Sequence, residues 1–148
     1  MRLKSKLLRV TNKYYHGSYE YMERGLILTP RDTYEQDWGQ NRWYQALEYY
    51  RPKNMLSHKE AIFMCDNPND IDSAGGGTDW VFTLEPLGRV ERHDMNWMST
   101  ADLALESSDI TDEEVSIPCH NYWEGVPSND PLWEYLTPKA RILSVEEY

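Results

Sequence analysis

The spacing of hydrophobic and polar positions changes period several times along the chain. Residues 7–15 alternate in part and favour β structure, which predicts a first strand punctuated by Gly17. Residues 19–24 predict a helical turn terminated by Gly25. Residues 29–39 are polar and are broken by Pro30 and Gly39. Trp43, Ala46, Leu47 and Tyr50 then recur at helical spacing, so Asn41 is read as the cap of a helix that Pro52 stops. The short apolar run 61–65 predicts a buried strand closed by the turn Asp66-Asn67-Pro68, and residues 80–84 predict another, ended by Glu85-Pro86. Between 99 and 114, Leu103, Leu105 and Ile110 lie among six acidic residues, with Thr100 and Thr111 placed as caps; this reads as a solvated helical cover. Residues 133–145 predict a strand before Pro138 and a second over 140–145. Strands early and late with helices between them predict an α+β fold.

No internal repeat interrupts this order, and the strongest breaker cluster is 73–78 with Gly75, Gly76 and Gly77. One domain over residues 1–148 is therefore expected, and a chain of this length buries roughly two thirds of its unfolded surface. No stretch approaches the roughly 20 apolar residues that span a bilayer, and residues 1–10 are basic without the apolar run of a signal peptide. A cytoplasmic protein with no membrane partner is expected. Cys65 and Cys119 are too few for a disulfide framework and lack zinc-ligand spacing, so two reduced structural thiols and no metal are expected.

Charge narrows the partners. The formal net charge is −10, yet residues 1–13 hold five of the 15 basic residues and no acid. The acidic remainder would repel a phosphate backbone, while the leader either touches a phosphate or forms a solvated strand. Eleven Tyr and six Trp against two Phe give many aromatic positions a polar handle. They suit a ring-lined cleft and equally a core with wet edges.

Tyr14-Tyr15-His16-Gly17-Ser18 places an imidazole, a bare backbone position and a hydroxyl at the end of a strand. Gly17 allows the backbone to approach a planar amide, and His16 and Ser18 can hydrogen-bond a ribose or that amide. The same residues also suit a strand-ending turn whose histidine is held by the backbone.

His16-Gly17-Ser18, followed by Gly25-Leu26-Ile27-Leu28-Thr29-Pro30, resembles the opening of the ADP-ribosyltransferase superfamily. That opening is shared by poly-ADP-ribose polymerases, tRNA 2'-phosphotransferases and rifamycin-modifying transferases. Ala61-Ile62-Phe63-Met64-Cys65-Asp66 resembles the family's second strand, and Trp80 through Glu85-Pro86-Leu87-Gly88 resembles a strand and turn of the rifamycin-modifying group. Leu132-Trp133-Glu134-Tyr135-Leu136-Thr137-Pro138 resembles the Glu-x-x-x-Pro catalytic strand. The resemblance implies split antiparallel sheets around a central NAD cleft, flanked by a few helices.

It also implies roles. NAD, as substrate, would be held by His16, Gly17 and Ser18 with Tyr15 beside them, and Phe63 would stack on nicotinamide where the family usually has Tyr. Glu134 would be the catalytic carboxylate, assisted by His16. Asp94 is the second candidate acid, with Glu91 nearby, and Glu124 in the turn Tyr122-Trp123-Glu124-Gly125 is the fallback. Arg51, at the end of the helix from Asn41, would approach the NAD phosphates or complement the helix dipole. Leu132, where some toxins carry Gln or Glu, disfavours an arginine-modifying or asparagine-modifying preference. The acceptor, whether protein, nucleic acid or small molecule, stays open, as does oligomeric state. The implied activity is mono-ADP-ribosyl transfer, in a setting such as a bacterial or phage effector. The alternative is the same fold without catalysis, binding a nucleotide or a partner protein.

Overall fold

The computed structural model describes residues 13–72, 76–107 and 109–148. The expected strand over 7–12, most of the basic leader and part of the 73–78 glycine cluster lie outside them. Among the described residues, seven strands build two antiparallel sheets. The first has the order β1 (Tyr14–Ser18), β4 (Trp80–Pro86), β7 (Ala140–Glu147), β2 (Ile27–Leu28). The second has the order β3 (Ile62–Met64), β6 (Trp133–Thr137), β5 (Glu91–Asp94). An isolated bridge, Tyr15 opposite Cys65, joins β1 to the end of β3.

Alternation decides which side chains meet. Phe82 and Leu84 of β4 point inward while Val81 and Thr83 point outward, because successive strand residues face opposite sides. With Leu28, Ala140 and Ile142 they pack against Ile62 and Met64, filling the layer between the sheets. The other face of the second sheet carries Phe63, Leu136 and Glu91 in one cross-strand row and His93 and Glu134 in the next. That face turns toward the helices.

Four α-helices complete the molecule among the described residues: α1 (Tyr34–Trp38), α2 (Arg42–Tyr49), α3 (Asn96–Leu105) and α4 (Asp112–Glu124). Asn41 caps α2 as its position predicts, its side chain accepting from the N–H groups of Trp43 and Tyr44. Asn41→Ala is expected to cost about 1 kcal/mol and to lower the melting temperature by roughly 2–4 °C in a thermal unfolding scan.

Three local expectations are corrected. Residues 19–24 form no helix: Gly25 sits at φ +90° in a tight turn and pairs with Ile142, so the segment is drawn onto β7. Thr100 lies inside α3 rather than capping it, whereas Thr111 does cap α4. The turn expected at 122–125 is helical up to Glu124. α4 buries Val115, Pro118, Cys119, Tyr122 and Trp123 along one stripe, and Gly125 closes it in the left-handed conformation. Tyr122-Trp123-Glu124 is therefore the last helical turn, and its Tyr122 and Trp123 join Leu47, Ala101, Val115 and Cys119 in a second core cluster. No helix among the described residues is long and apolar enough to cross a membrane.

Candidate functional site

β1 and β3 part company just beyond their bridge. Tyr15 exchanges both backbone hydrogen bonds with Cys65, at 2.8 and 2.9 Å. Alternate residues of a strand point their N–H and C=O the same way, so Gly17 aims its own pair toward Phe63. Neither group meets a backbone partner there among the described residues. The gap is spanned by His16, whose Nδ1–H donates to the Phe63 carbonyl oxygen at 2.7 Å while its ring stacks on Phe82. Burial holds the His16 pKa below its ordinary value despite that bond. The imidazole is thus neutral with Nε2 as an acceptor, and Nε2 has no partner among the described residues.

Behind this fork lies a buried polar cluster. Glu134, on β6, is a diagonal neighbour of Phe63 on the helix-facing side of the second sheet, roughly 7–8 Å away between backbones. Its carboxylate accepts a short hydrogen bond from the Tyr122 hydroxyl of α4. His58 Nε2 is 2.7 Å from the same hydroxyl, and His58 Nδ1 is 3.4 Å from the Tyr34 hydroxyl. The Tyr34 ring stacks on Phe63 with centroids 5.6 Å apart. Glu134 is 3% exposed, Tyr122 0%, His58 2% and Tyr34 8%. Burial pushes the Glu134 pKa up to about 7, against the Tyr122 hydrogen bond and nearby His93. Burial also pushes His58 down to about 3, so its ring is neutral. The Tyr34 hydroxyl is raised by burial and next by the Glu134 charge, which places the two groups in one electrostatic neighbourhood.

The structure brings His16, Gly17, Phe63 and Glu134 to adjoining positions and leaves other expected residues elsewhere. Ser18 donates to the Glu20 carbonyl and accepts from the Glu20 N–H, so its hydroxyl is engaged in its own turn. Tyr15 is corrected: it lies on the outer face of the first sheet, in a groove of about 580 Å³ with Lys13, Thr83 and Ser144. Arg51 is corrected as well, since its guanidinium pairs with Glu48 and donates to the carbonyls of Pro52 and Met55.

Asp94 is a structural acid, 0% exposed, accepting from the N–H groups of Asn96, Ser128 and Leu132. Burial opposes its ionisation, but hydrogen bonds led by Ser128 prevail and hold its pKa low. Glu91 is likewise committed, to Leu56, Arg89 and His93. Glu124 is exposed at the end of α4 while Trp123 turns inward.

Tyr34 and His58 escape sequence reasoning because no spacing links them to Glu134. Tyr34 lies in a polar segment, and His58 follows a proline-broken loop held by Glu48, which accepts from the Ser57 hydroxyl and the His58 N–H. The packing of α1 on the His58 segment and the Tyr122 hydroxyl of α4 bring them to Glu134. No protein-family model matches this chain, and no curated protein matches it.

Proposed function

We propose that the chain is an NAD-dependent mono-ADP-ribosyltransferase whose substrate enters at the fork between β1 and β3. The observation that carries this reading is the N–H and C=O of Gly17, which aim at the Phe63 strand and meet no backbone partner among the described residues, with the acceptor nitrogen of His16 next to them. An N–H and C=O pair matches the C=O and NH2 of a carboxamide, an aromatic ring suits the pyridinium face, and neutral Nε2 suits a ribose hydroxyl. Glu134 is the carboxylate nearest this mouth on the same sheet face as Phe63.

In this reading the bond between nicotinamide and ribose breaks with its electrons leaving on nicotinamide. The ionised Glu134 stabilises the positive charge that grows on the ribose, and an acceptor nucleophile then forms the new bond and loses its proton. Tyr34 covers the face of Phe63, so in this reading the α1 segment moves aside for substrate. The test is nicotinamide release from NAD by wild type and Glu134→Gln, with a cell lysate supplying acceptors. Wild type is expected to release it, and the variant to lose about 10²–10³-fold or more. Equal rates sink the assignment.

The burial of Glu134, 3% exposed against Tyr122, favours a second reading, a binding module of the same architecture that holds a nucleotide without turning it over. Saturable NAD binding with no nicotinamide release in the same assay supports it.

A further inference from the structure

The buried polar cluster behind the fork has a direction built into it. His58 is neutral, so one of its nitrogens donates and the other accepts. When Glu134 is ionised it can only accept, so Tyr122 donates to it. The Tyr122 oxygen must then accept from His58 Nε2–H, and His58 Nδ1 must accept from the Tyr34 hydroxyl. Each donor faces one acceptor, and the three links run in one sense.

We propose that Tyr34, His58 and Tyr122 form a proton-transfer chain ending on Oε1 of Glu134, so that the protonation state of this carboxyl selects the tautomer of His58. Tyr34 is the most exposed member and the entry point. A proton arriving on the Tyr34 oxygen lets Tyr34 pass its own to His58 Nδ1. His58 passes Nε2–H to the Tyr122 oxygen, and Tyr122 passes its hydroxyl proton to Glu134. One proton has entered, the carboxylate has become a carboxylic acid, and both tyrosines and the imidazole remain neutral. All three hydrogen bonds now run in the opposite sense. Tyr122 and His58 are in this scheme positioning residues for Glu134, since they act through it.

The groups around the chain are few enough to separate. Glu134 faces His93 across the sheet, Tyr122 from α4 and Tyr34 from α1. His58 is faced by Glu48, Tyr44 and Arg51 from α2 and its C-terminal end, by Glu91 and His93 from β5, and by Tyr122. Of these, only the hydroxyls of Tyr122 and Tyr34 stand within 3.5 Å of a His58 ring nitrogen among the described residues.

Nitrogen NMR of the full chain labelled at histidine, recorded from pH 5 to pH 9 without NAD, tests the chain by itself. In wild type, the His58 signals should report Nε2–H above the carboxyl midpoint near pH 7 and Nδ1–H below it. In Glu134→Gln and Tyr122→Phe the tautomer should no longer change with pH. His93 gives its own signals and serves as a control. A His58 tautomer that stays constant while the Glu134 carboxyl carbon titrates overturns the proposal, as does a ring that gains a second proton in this range.

Because NAD is absent from this measurement, failure of the transferase reading and failure of the chain are distinguishable. The chain's catalytic role does rest on that reading. If wild type turns NAD over, Tyr122→Phe should move the pH profile of kcat and leave KM for NAD unchanged, whereas a merely structural loss would scale activity without moving the profile.

Discussion

Glu134→Gln is expected to gain stability over wild type as pH rises, with a difference that grows by about 3 kcal/mol between pH 4.5 and pH 8. The ordinary pKa of this carboxyl is 4.5, and in the folded protein burial raises it to about 7. The native state therefore binds the proton more tightly than the unfolded chain. That contribution is complete below pH 4.5, declines as pH rises toward 7 and is gone above it. Glutamine keeps the shape and an acceptor for Tyr122 but has no proton to lose.

His58 works with the opposite sign. Its pKa falls from 6.5 to about 3, so the native state refuses a proton that the unfolded chain accepts, and stability is lost as pH falls from 6.5 toward 3. Between pH 4.5 and 6.5 the two slopes cancel. From this pair alone, wild type should be nearly flat in that window while Glu134→Gln climbs by about 1.4 kcal/mol per pH unit. Urea unfolding of both proteins at pH 4.5, 5.5, 6.5 and 8 decides the matter. Parallel curves would mean that Glu134 ionises normally and is not buried as described. A variant both inactive and more stable at pH 8 would mark Glu134 as kept for function at a cost to the fold.

How much of this could be read in advance depended on whether the signal was local. β3, β4, β6 and β7 were legible because short apolar or alternating runs are bounded by Pro68, Pro86 and Pro138, and α2 because Asn41 and Pro52 bracket it. α4 was legible only at its start, where Thr111 stands as a cap. Pro118 sits inside it and Tyr122-Trp123-Glu124-Gly125 reads as a turn, although burial along its inner stripe outweighs the lost backbone bond. α1 was missed for a related reason: five residues with only Tyr34 and Trp38 apolar carry no period.

The site divides in the same way. His16, Gly17, Phe63 and Glu134 stand in motifs, and chain order could propose them together. Nothing local could show that Glu134 turns toward the helices. That follows from the register placing His93 opposite Glu134, and from Tyr122 emerging at the inner face of a helix that the sequence concealed. Arg51 and Tyr15 were misplaced because proximity along the chain says nothing about which face of a sheet or loop a side chain takes.

Gly17→Ala is expected to destabilise the fold by about 2–3 kcal/mol and to lower the melting temperature by roughly 5–10 °C. The motif alone assigns this glycine to a ligand's approach, but in the folded chain the space beside it is already taken. A Cβ at position 17 would stand 2.2 Å from the Gly77 carbonyl oxygen and 2.3 Å from Ile71 Cγ2. The first is backbone and the second belongs to a side chain 1% exposed, so neither swings aside cheaply. Gly77 is equally confined, since its own Cβ would meet the Tyr19 nitrogen at 2.5 Å. Two stretches of main chain pack here without side chains between them. Gly25→Ala makes the contrast: φ is +90° but nothing lies within 4 Å, so only about 1–2 kcal/mol of backbone strain is expected.

A double-mutant cycle with Ile71→Ala separates the two roles of Gly17. If crowding is the cause, removing Cγ2 relieves part of it, and the double variant will be less destabilised than the single effects predict together. NAD binding answers the other half. Should affinity stay lost in a double variant whose stability has partly recovered, Gly17 also serves the ligand through the backbone pair it aims at Phe63. Recovery of both together would make packing the whole of its role, and a Gly17→Ala protein that melts with wild type would refute the close approach itself.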